Sequence, residues 1–267
     1  MHLRVEHTTE FSYDASIAEA YTELRLRPLE GGGQHCSSFR LTTEPFGLRV
    51  REYHDHFGND VHHFDVLESH ERLAVTAVSS VMTPASFSTT SEPLSPLEFH
   101  DYLSPTAYAP FAGVWEFAAG HAGEGNRLQR ARDVMDAVRG RLVYDPTATD
   151  VQTRADEVLA LGRGVCQDFA HVMLATCRSV GIPARYVSGY LYDPSLGDNA
   201  ASHAWVDVWD EAAGWTSLDP THDREQSEVY VRVAVGRDYA DVPPTRGVYK
   251  GVATETLSVR VALQALS

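Results

Sequence analysis

The first part of the chain alternates between apolar and polar residues in short segments. Residues 3–8 and 22–27 show this period of two, and similar segments continue as far as Met82. Clusters of turn-forming residues, such as the three glycines at 31–33, separate the segments. Short alternating segments between regular turns predict an antiparallel β-sandwich or barrel. We therefore expect a β-rich N-terminal domain over residues 1–83.

The pattern changes after a connecting segment over residues 84–126, which is rich in proline and glycine. Apolar residues then recur every three to four positions between residues 128 and 138, which predicts a helix. Two more helices are expected over residues 154–161 and 166–180, the last ending at a glycine followed by a proline. Alternating segments that predict strands continue to residue 263. The expected fold class is α+β, with a second domain over residues 127–267.

The composition is that of a globular protein. The 267 residues are 43% hydrophobic and 22% charged, which argues against wholesale disorder. Lys and Arg total 22 against 37 Asp and Glu, so the net charge is −15. Nucleic acid is not expected as a partner, because binding phosphates requires clustered positive charge. Since neither a signal peptide nor a membrane span is recognisable, we expect a cytoplasmic protein. The oligomeric state is left open.

Three cysteines, Cys36, Cys166 and Cys177, show no disulfide-framework spacing and are expected to be free thiols. Cys166 stands at the predicted start of the third helix. The unpaired N–H groups and the positive dipole end of a helix start both stabilise a thiolate, which is the nucleophilic form of cysteine. Cys36 and Cys177 lack such surroundings, so we expect small buried hydrophobic side chains there.

A histidine and an aspartate complete a possible catalytic arrangement. His203 opens one alternating segment, and Asp219 ends the next one after a short turn at residues 210–214. In an antiparallel hairpin the two side chains lie at the same end, within hydrogen-bond reach. A cysteine facing a histidine that is held by a carboxylate is the arrangement of nucleophile, base and orienting group.

Four blocks of the sequence resemble the bacterial transglutaminase-like family: residues 164–171, 181–190, 203–206 and 219–221. The strand-rich N-terminal region also resembles the β-rich domain that precedes the core in this family. The resemblance implies a papain-like core, in which a cysteine-bearing helix packs on an antiparallel sheet. It also implies a catalytic triad of Cys166, His203 and Asp219, and acyl chemistry through a thioester on a protein or peptide substrate.

Several functions remain open on this fold. We expect a cysteine protease or amidase, because hydrolysis needs only water as the acceptor. A protein-glutamine transamidase, which crosslinks, is one alternative. A non-catalytic peptide-binding module is another, because a fold does not determine function.

Residues around the triad are candidates for oxyanion, substrate and structural roles. The backbone N–H of Cys166 is the expected first oxyanion donor, and Tyr144 and Gln167 are candidates for the second. Asp168 is expected to complement the helix dipole, with contact to substrate as the alternative. His171 is expected to be a hydrogen-bonded structural histidine. The histidines between residues 54 and 63 lack the spacing of a zinc site, so no metal or cofactor is expected.

Overall fold

A computed structural model describes residues 1–87, 89, 92–120, 125–195 and 202–266 of the chain. The N-terminal region forms six strands: β1 (His2–Ile17), β2 (Glu19–Leu24), β3 (His35–Glu44), β4 (Arg51–His54), β5 (Asp60–Val66) and β6 (His70–Met82). Buried and partly exposed residues alternate along most of β1, which is the pattern that the sequence predicts for a strand with one face in a core.

In the described part of the chain after β6, the elements are five helices, nine strands and one 3₁₀ turn. The helices are α1 (Pro96–Leu103), α2 (Trp115–Ala119), α3 (Arg127–Arg141), α4 (Ala155–Leu161) and α5 (Cys166–Ser179). The strands are β7 (Val143–Tyr144), β8 (Arg163–Gly164), β9 (Ala184–Leu191), β10 (Ser202–Asp210), β11 (Gly214–Asp219), β12 (Arg224–Glu225), β13 (Tyr230–Gly236), β14 (Thr245–Lys250) and β15 (Glu255–Ala265). The 3₁₀ turn covers Tyr239–Asp241. None of the described helices is both long enough and apolar enough to cross a membrane.

The N-terminal region is a sandwich of two four-stranded antiparallel sheets, with the orders β15-β1-β6-β3 and β14-β2-β5-β4. Apolar side chains of both sheets meet in one core that includes Phe11, Phe64, Leu73 and Val75. Each sheet therefore takes one strand from the C-terminal end of the chain.

This sharing of strands differs from the expected domain division. Residues 127–267 are expected to form the second domain, whereas β14 pairs with β2 and β15 pairs with β1 along eleven residue pairs, from Leu3 opposite Ala265 to Tyr13 opposite Glu255. Alternation along a strand shows that one face is buried, but not which distant strand lies beside it. The first and last parts of the chain thus form the sandwich together.

The other part of the molecule is a helix packed on a five-stranded antiparallel sheet of order β12-β11-β10-β9-β13. Helix α5 lies between this sheet and helices α2, α3 and α4. The sequence pattern predicted one buried face for α5, but every residue from Asp168 to Arg178 is buried. Packing on both sides explains the difference, because no face of the helix is left to solvent.

Candidate active site

Cys166 is the first residue of α5, and a carboxylate fixes the start of that helix. Asp168 Oδ2 accepts hydrogen bonds from the Val165 N–H at 2.7 Å and the Thr149 hydroxyl at 2.6 Å. Gly164 leaves room for this carboxylate, since a Cβ there would lie 2.4 Å from Asp168 Oδ2. Cys166 as a residue is half-buried and lines an open cavity.

His203 and Asp219 lie on the neighbouring antiparallel strands β10 and β11. His203 Nε2 is 2.8 Å from Asp219 Oδ2, and both side chains are buried. The imidazole also interacts with the thiol of Cys166. Because Nε2 is taken by Asp219, the nitrogen left for sulfur is Nδ1. The structure therefore brings the three predicted residues together in the order sulfur, imidazole, carboxylate.

The electrostatics of this group favour a protonated imidazole. Burial of His203 opposes protonation, but the hydrogen bonds to Asp219 and Cys166 outweigh it and raise the pKa of His203 to about 9. In Asp219 the same balance also favours the charged form. Its burial disfavours ionisation, yet hydrogen bonds from His203 and His222 hold the pKa of the carboxyl well below its usual range. At neutral pH the pair is thus an imidazolium bound to a carboxylate.

Two residues that the sequence analysis did not single out also bind Asp219. His222 Nδ1 lies 3.0 Å from Oδ2, and the Tyr230 hydroxyl donates to the same oxygen at 2.7 Å. Asp219 Oδ1 accepts from the backbone N–H groups of Thr221 and His222 at 2.8 and 3.3 Å. The position of His222 three residues after Asp219 was the available signal for it. Tyr230 carried none, because it arrives from a different strand.

A cavity of about 330 Å³ opens beside the thiol. Its walls are Tyr144, Cys166, Leu191, Asp193, Ser202, His203, Thr221 and His222. Tyr144 reaches it because β7 pairs with β8, which places Tyr144 opposite Gly164. Burial and the nearby Cys166 raise the pKa of the Tyr144 phenol, which therefore stays a hydrogen-bond donor.

The other predicted residues are placed away from the sulfur or serve the fold. The Gln167 amide donates to the carbonyl of Val151 at 3.0 Å. Asp168 is fully buried, and its role in the structure is to bind the helix start. His171 is fully buried, and its Nε2 accepts the Tyr239 N–H at 3.2 Å. Burial lowers the pKa of His171 to about 3, so the ring is neutral.

A metal or cofactor is not needed to explain these contacts. His203, Asp219 and His222 each offer one ligand atom within 4.8 Å of the others. Both histidines, however, make ordinary hydrogen bonds to the same carboxylate oxygen at 2.8 and 3.0 Å. We therefore assign these three side chains to a hydrogen-bonded group.

An α+β fold in which a cysteine begins a helix packed on an antiparallel sheet defines the papain-like class. Comparison with known proteins narrows this class. The model of the transglutaminase-like superfamily matches residues 116–220, and that of the bacterial transglutaminase-like N-terminal region matches residues 3–82. The chain belongs to the transglutaminase-like superfamily.

Individual proteins are also similar to this chain. Uncharacterized protein ML0607 of Mycobacterium leprae is 36% identical and covers 99% of both chains. A protein-glutamine gamma-glutamyltransferase of Pseudomonas aeruginosa is 32% identical over 40% of this chain and 18% of its own length. Among solved structures, the "Putative Cysteine Protease" of Cytophaga hutchinsonii has a TM-score of 0.79 at 21% identity, and covers 100% of this chain and 92% of its own. That last likeness concerns the fold.

Proposed function

We propose that the protein hydrolyses amide bonds in peptides or proteins through a thioester on Cys166. The observation that carries the proposal is the buried hydrogen bond of 2.8 Å between His203 and Asp219, with the half-buried Cys166 beside the imidazole on the wall of the same cavity. A non-catalytic peptide-binding module would not require this alignment of three ionisable groups beside an open cavity.

Acylation begins with the thiolate of Cys166 attacking the carbonyl carbon of the amide. The developing negative charge on oxygen needs preorganised donors. The N–H of Cys166 is the first, because the first amides of a helix have no acceptor within the helix. The hydroxyl of Tyr144 is our candidate for the second, since it lines the same cavity and keeps its proton. The C–N bond then breaks as His203 gives its proton to the departing amine.

Deacylation returns the enzyme to its starting state. The neutral His203 takes a proton from a water molecule, and the oxygen of that water attacks the carbonyl carbon of the thioester. The C–S bond breaks, the carboxylic acid leaves, and Cys166 and His203 again form the thiolate and imidazolium pair. Asp219 keeps its negative charge throughout and stabilises the imidazolium at each step.

The proposal is tested with a peptide pool of known sequences, in which mass spectrometry detects new termini. We expect cleavage by the wild-type protein and its loss in Cys166→Ala. Cys36→Ala is the matched control, because Cys36 is a buried thiol of strand β3, outside this site. If Cys166→Ala still cleaves peptides, Cys166 is not the nucleophile. If the wild-type protein binds peptides tightly but does not cleave them, the binding module is favoured.

Transamidation is the second candidate, and the similarity to a protein-glutamine gamma-glutamyltransferase favours it over 40% of the chain. The two reactions share the thioester and differ only in whether water or an amine attacks it. Incubation with a glutamine peptide and a labelled primary amine separates them. Both reactions release ammonia when the thioester forms. We expect hydrolysis to convert the glutamine residue to glutamate without label, whereas incorporation of the label would assign the protein to transamidation.

A further inference from the structure

The carboxylate that orients His203 is shared among several donors. Asp219 Oδ2 is bound by His203 at 2.8 Å, by His222 at 3.0 Å and by the Tyr230 hydroxyl at 2.7 Å. A carboxylate oxygen has two lone pairs, so three donors on one oxygen compete for its charge. The bond between Asp219 and His203 is consequently weaker than it would be if His203 were the sole partner of that oxygen.

Tyr230 and His222 are held in different ways. Tyr230 is fully buried, and its ring meets Trp205 edge-on with centroids 5.1 Å apart. Burial and the adjacent Asp219 raise the pKa of this phenol, so it donates at any pH at which the protein is folded. The side chain of His222 is 38% exposed and forms part of the cavity wall. One donor is therefore permanent, and the other can respond to whatever occupies the cavity.

We propose that Tyr230 and His222 are positioning residues that weaken the hold of Asp219 on the imidazolium of His203, and so make His203 a more available base in deacylation. The inference deepens the proposed function and rests on it. It assigns no contact with the reacting atoms to either residue, because both act through Asp219.

The effect matters most once the thioester has formed. In the free enzyme, the imidazolium is stabilised by Cys166 as well as by Asp219. A thioester sulfur carries no charge and no proton, so Asp219 alone then decides how tightly His203 keeps its proton. Deacylation needs the neutral ring, and each additional donor on Asp219 increases the neutral fraction at a given pH.

Among the described residues, the titratable groups that face His203 come from several elements of the fold. Cys166 faces it from α5, Asp219 from β11, Tyr230 from β13, and His222 from the turn after β11. One step further out, the Arg224 guanidinium lies 5.7 Å from the Tyr230 ring centroid, and Asp193 and Tyr144 lie on the cavity wall. Of these, Tyr230 and His222 can be changed without removing the proposed catalytic groups.

The test is an NMR titration of the His203 ring in the Cys166→Ala protein, where the thiol no longer contributes. The signal is assigned by its loss in His203→Asn. We expect Tyr230→Phe to raise the measured pKa of His203 by about half to one pH unit. With one donor fewer on Asp219 Oδ2, the hydrogen bond from the His203 imidazolium to this oxygen becomes stronger. His222→Ala should shift it in the same direction.

Tyr190→Phe is the matched control. Tyr190 is a buried tyrosine of the same sheet whose hydroxyl binds His7 Nδ1 at 2.8 Å. Its loss costs a comparable buried hydrogen bond and should leave the titration of His203 unchanged. An unchanged or lowered pKa in both Tyr230→Phe and His222→Ala would overturn the inference, and His222→Ala decides alone if Tyr230→Phe does not fold. No turnover is required, so this result is independent of whether amide cleavage is found.

Discussion

A buried carboxylate at the centre of the five-stranded sheet offers a direct test of what holds the strands of the candidate site together. Asp207 of β10 is fully buried and binds the guanidinium groups of Arg232 on β13 and Arg185 on β9. The Ser217 hydroxyl of β11 donates to the same carboxylate. One side chain thus connects the strands that carry His203, Asp219 and Tyr230 to their neighbours. We predict that Asp207→Asn destabilises the whole protein.

The magnitude follows from the ionisation of Asp207. Burial opposes the charge, but Arg232 and Arg185 outweigh it and lower the pKa of Asp207 from 3.8 to about 2. At about 1.4 kcal/mol for each pH unit, this corresponds to roughly 2–3 kcal/mol of folding free energy. Asparagine also removes the charged partner of the buried Arg232 and of the partly buried Arg185. Breaking a buried ion pair costs about 3–5 kcal/mol. A loss of about 3 kcal/mol is therefore expected, or roughly 6–12 °C in Tm.

Thermal unfolding followed by circular dichroism measures this loss. Asp223→Asn is the matched control, because Asp223 pairs with Arg139 at the surface with side chains 46% and 38% exposed, and asparagine also tolerates its positive φ of 57°. That variant should change the stability by less than about 1 kcal/mol. Since the folded-state pKa of Asp207 is depressed, its contribution is complete above pH 3.8 and is lost as the pH falls through about 2. Equal Tm values for the two variants near pH 7 would refute the reasoning.

Three further predictions concern the site itself. Iodoacetamide should alkylate the half-buried Cys166 and leave Cys177 unmodified, because Cys177 is buried and burial raises the pKa of its thiol to about 12. Peptide mass spectrometry measures both cysteines, and equal labelling would contradict this difference in burial. Gly164→Ala should destabilise the protein by about 1–3 kcal/mol and slow the alkylation of Cys166, because the new Cβ would lie 2.4 Å from the Asp168 carboxylate. Gly140→Ala is the control, since open space surrounds its Cβ, and it should stabilise helix α3 slightly. Thermal unfolding measures both variants. The protonated ring of His203 should contribute its full stabilisation below pH 6.5, and this contribution should be lost as the pH rises through about 9. Denaturation at several pH values measures the free energy of unfolding, and His203→Asn should not show this loss.

Local sequence patterns were sufficient to place the nucleophile candidate and its two partners on particular elements. Cys166 lies two residues after Gly164 and begins an apolar helical pattern, so the start of α5 is visible in the sequence. His203 and Asp219 lie on strands joined by a short turn, and a hairpin leaves few choices of register. These arguments use residues close together in the chain, which is where sequence patterns are informative.

Features that depend on contacts between distant segments were missed. Helix α1 was expected to be part of a connection because prolines and glycines surround it, although Ser95 and Glu98 form a capping box at its start. The strand β14 was not foreseen, and the pairing of β15 with β1 could not be read from alternation. Tyr230 escaped notice for the same reason, since its hydroxyl reaches Asp219 from a strand on the opposite edge of the sheet.

The position of that edge strand connects the N-terminal sandwich to the site. One side of β13 pairs with β9, and side chains from loops of the sandwich bind its backbone on the other side. The Gln34 side chain binds the N–H and the carbonyl of Arg232 at 2.9 Å each, and the Asn59 side chain binds the same two groups of Val235 at 2.8 Å. Two amides thus replace the ladder of a missing strand. Because β13 begins at Tyr230, the sandwich helps to hold the hydroxyl that binds Asp219. The N-terminal region thus supports the candidate site through β13.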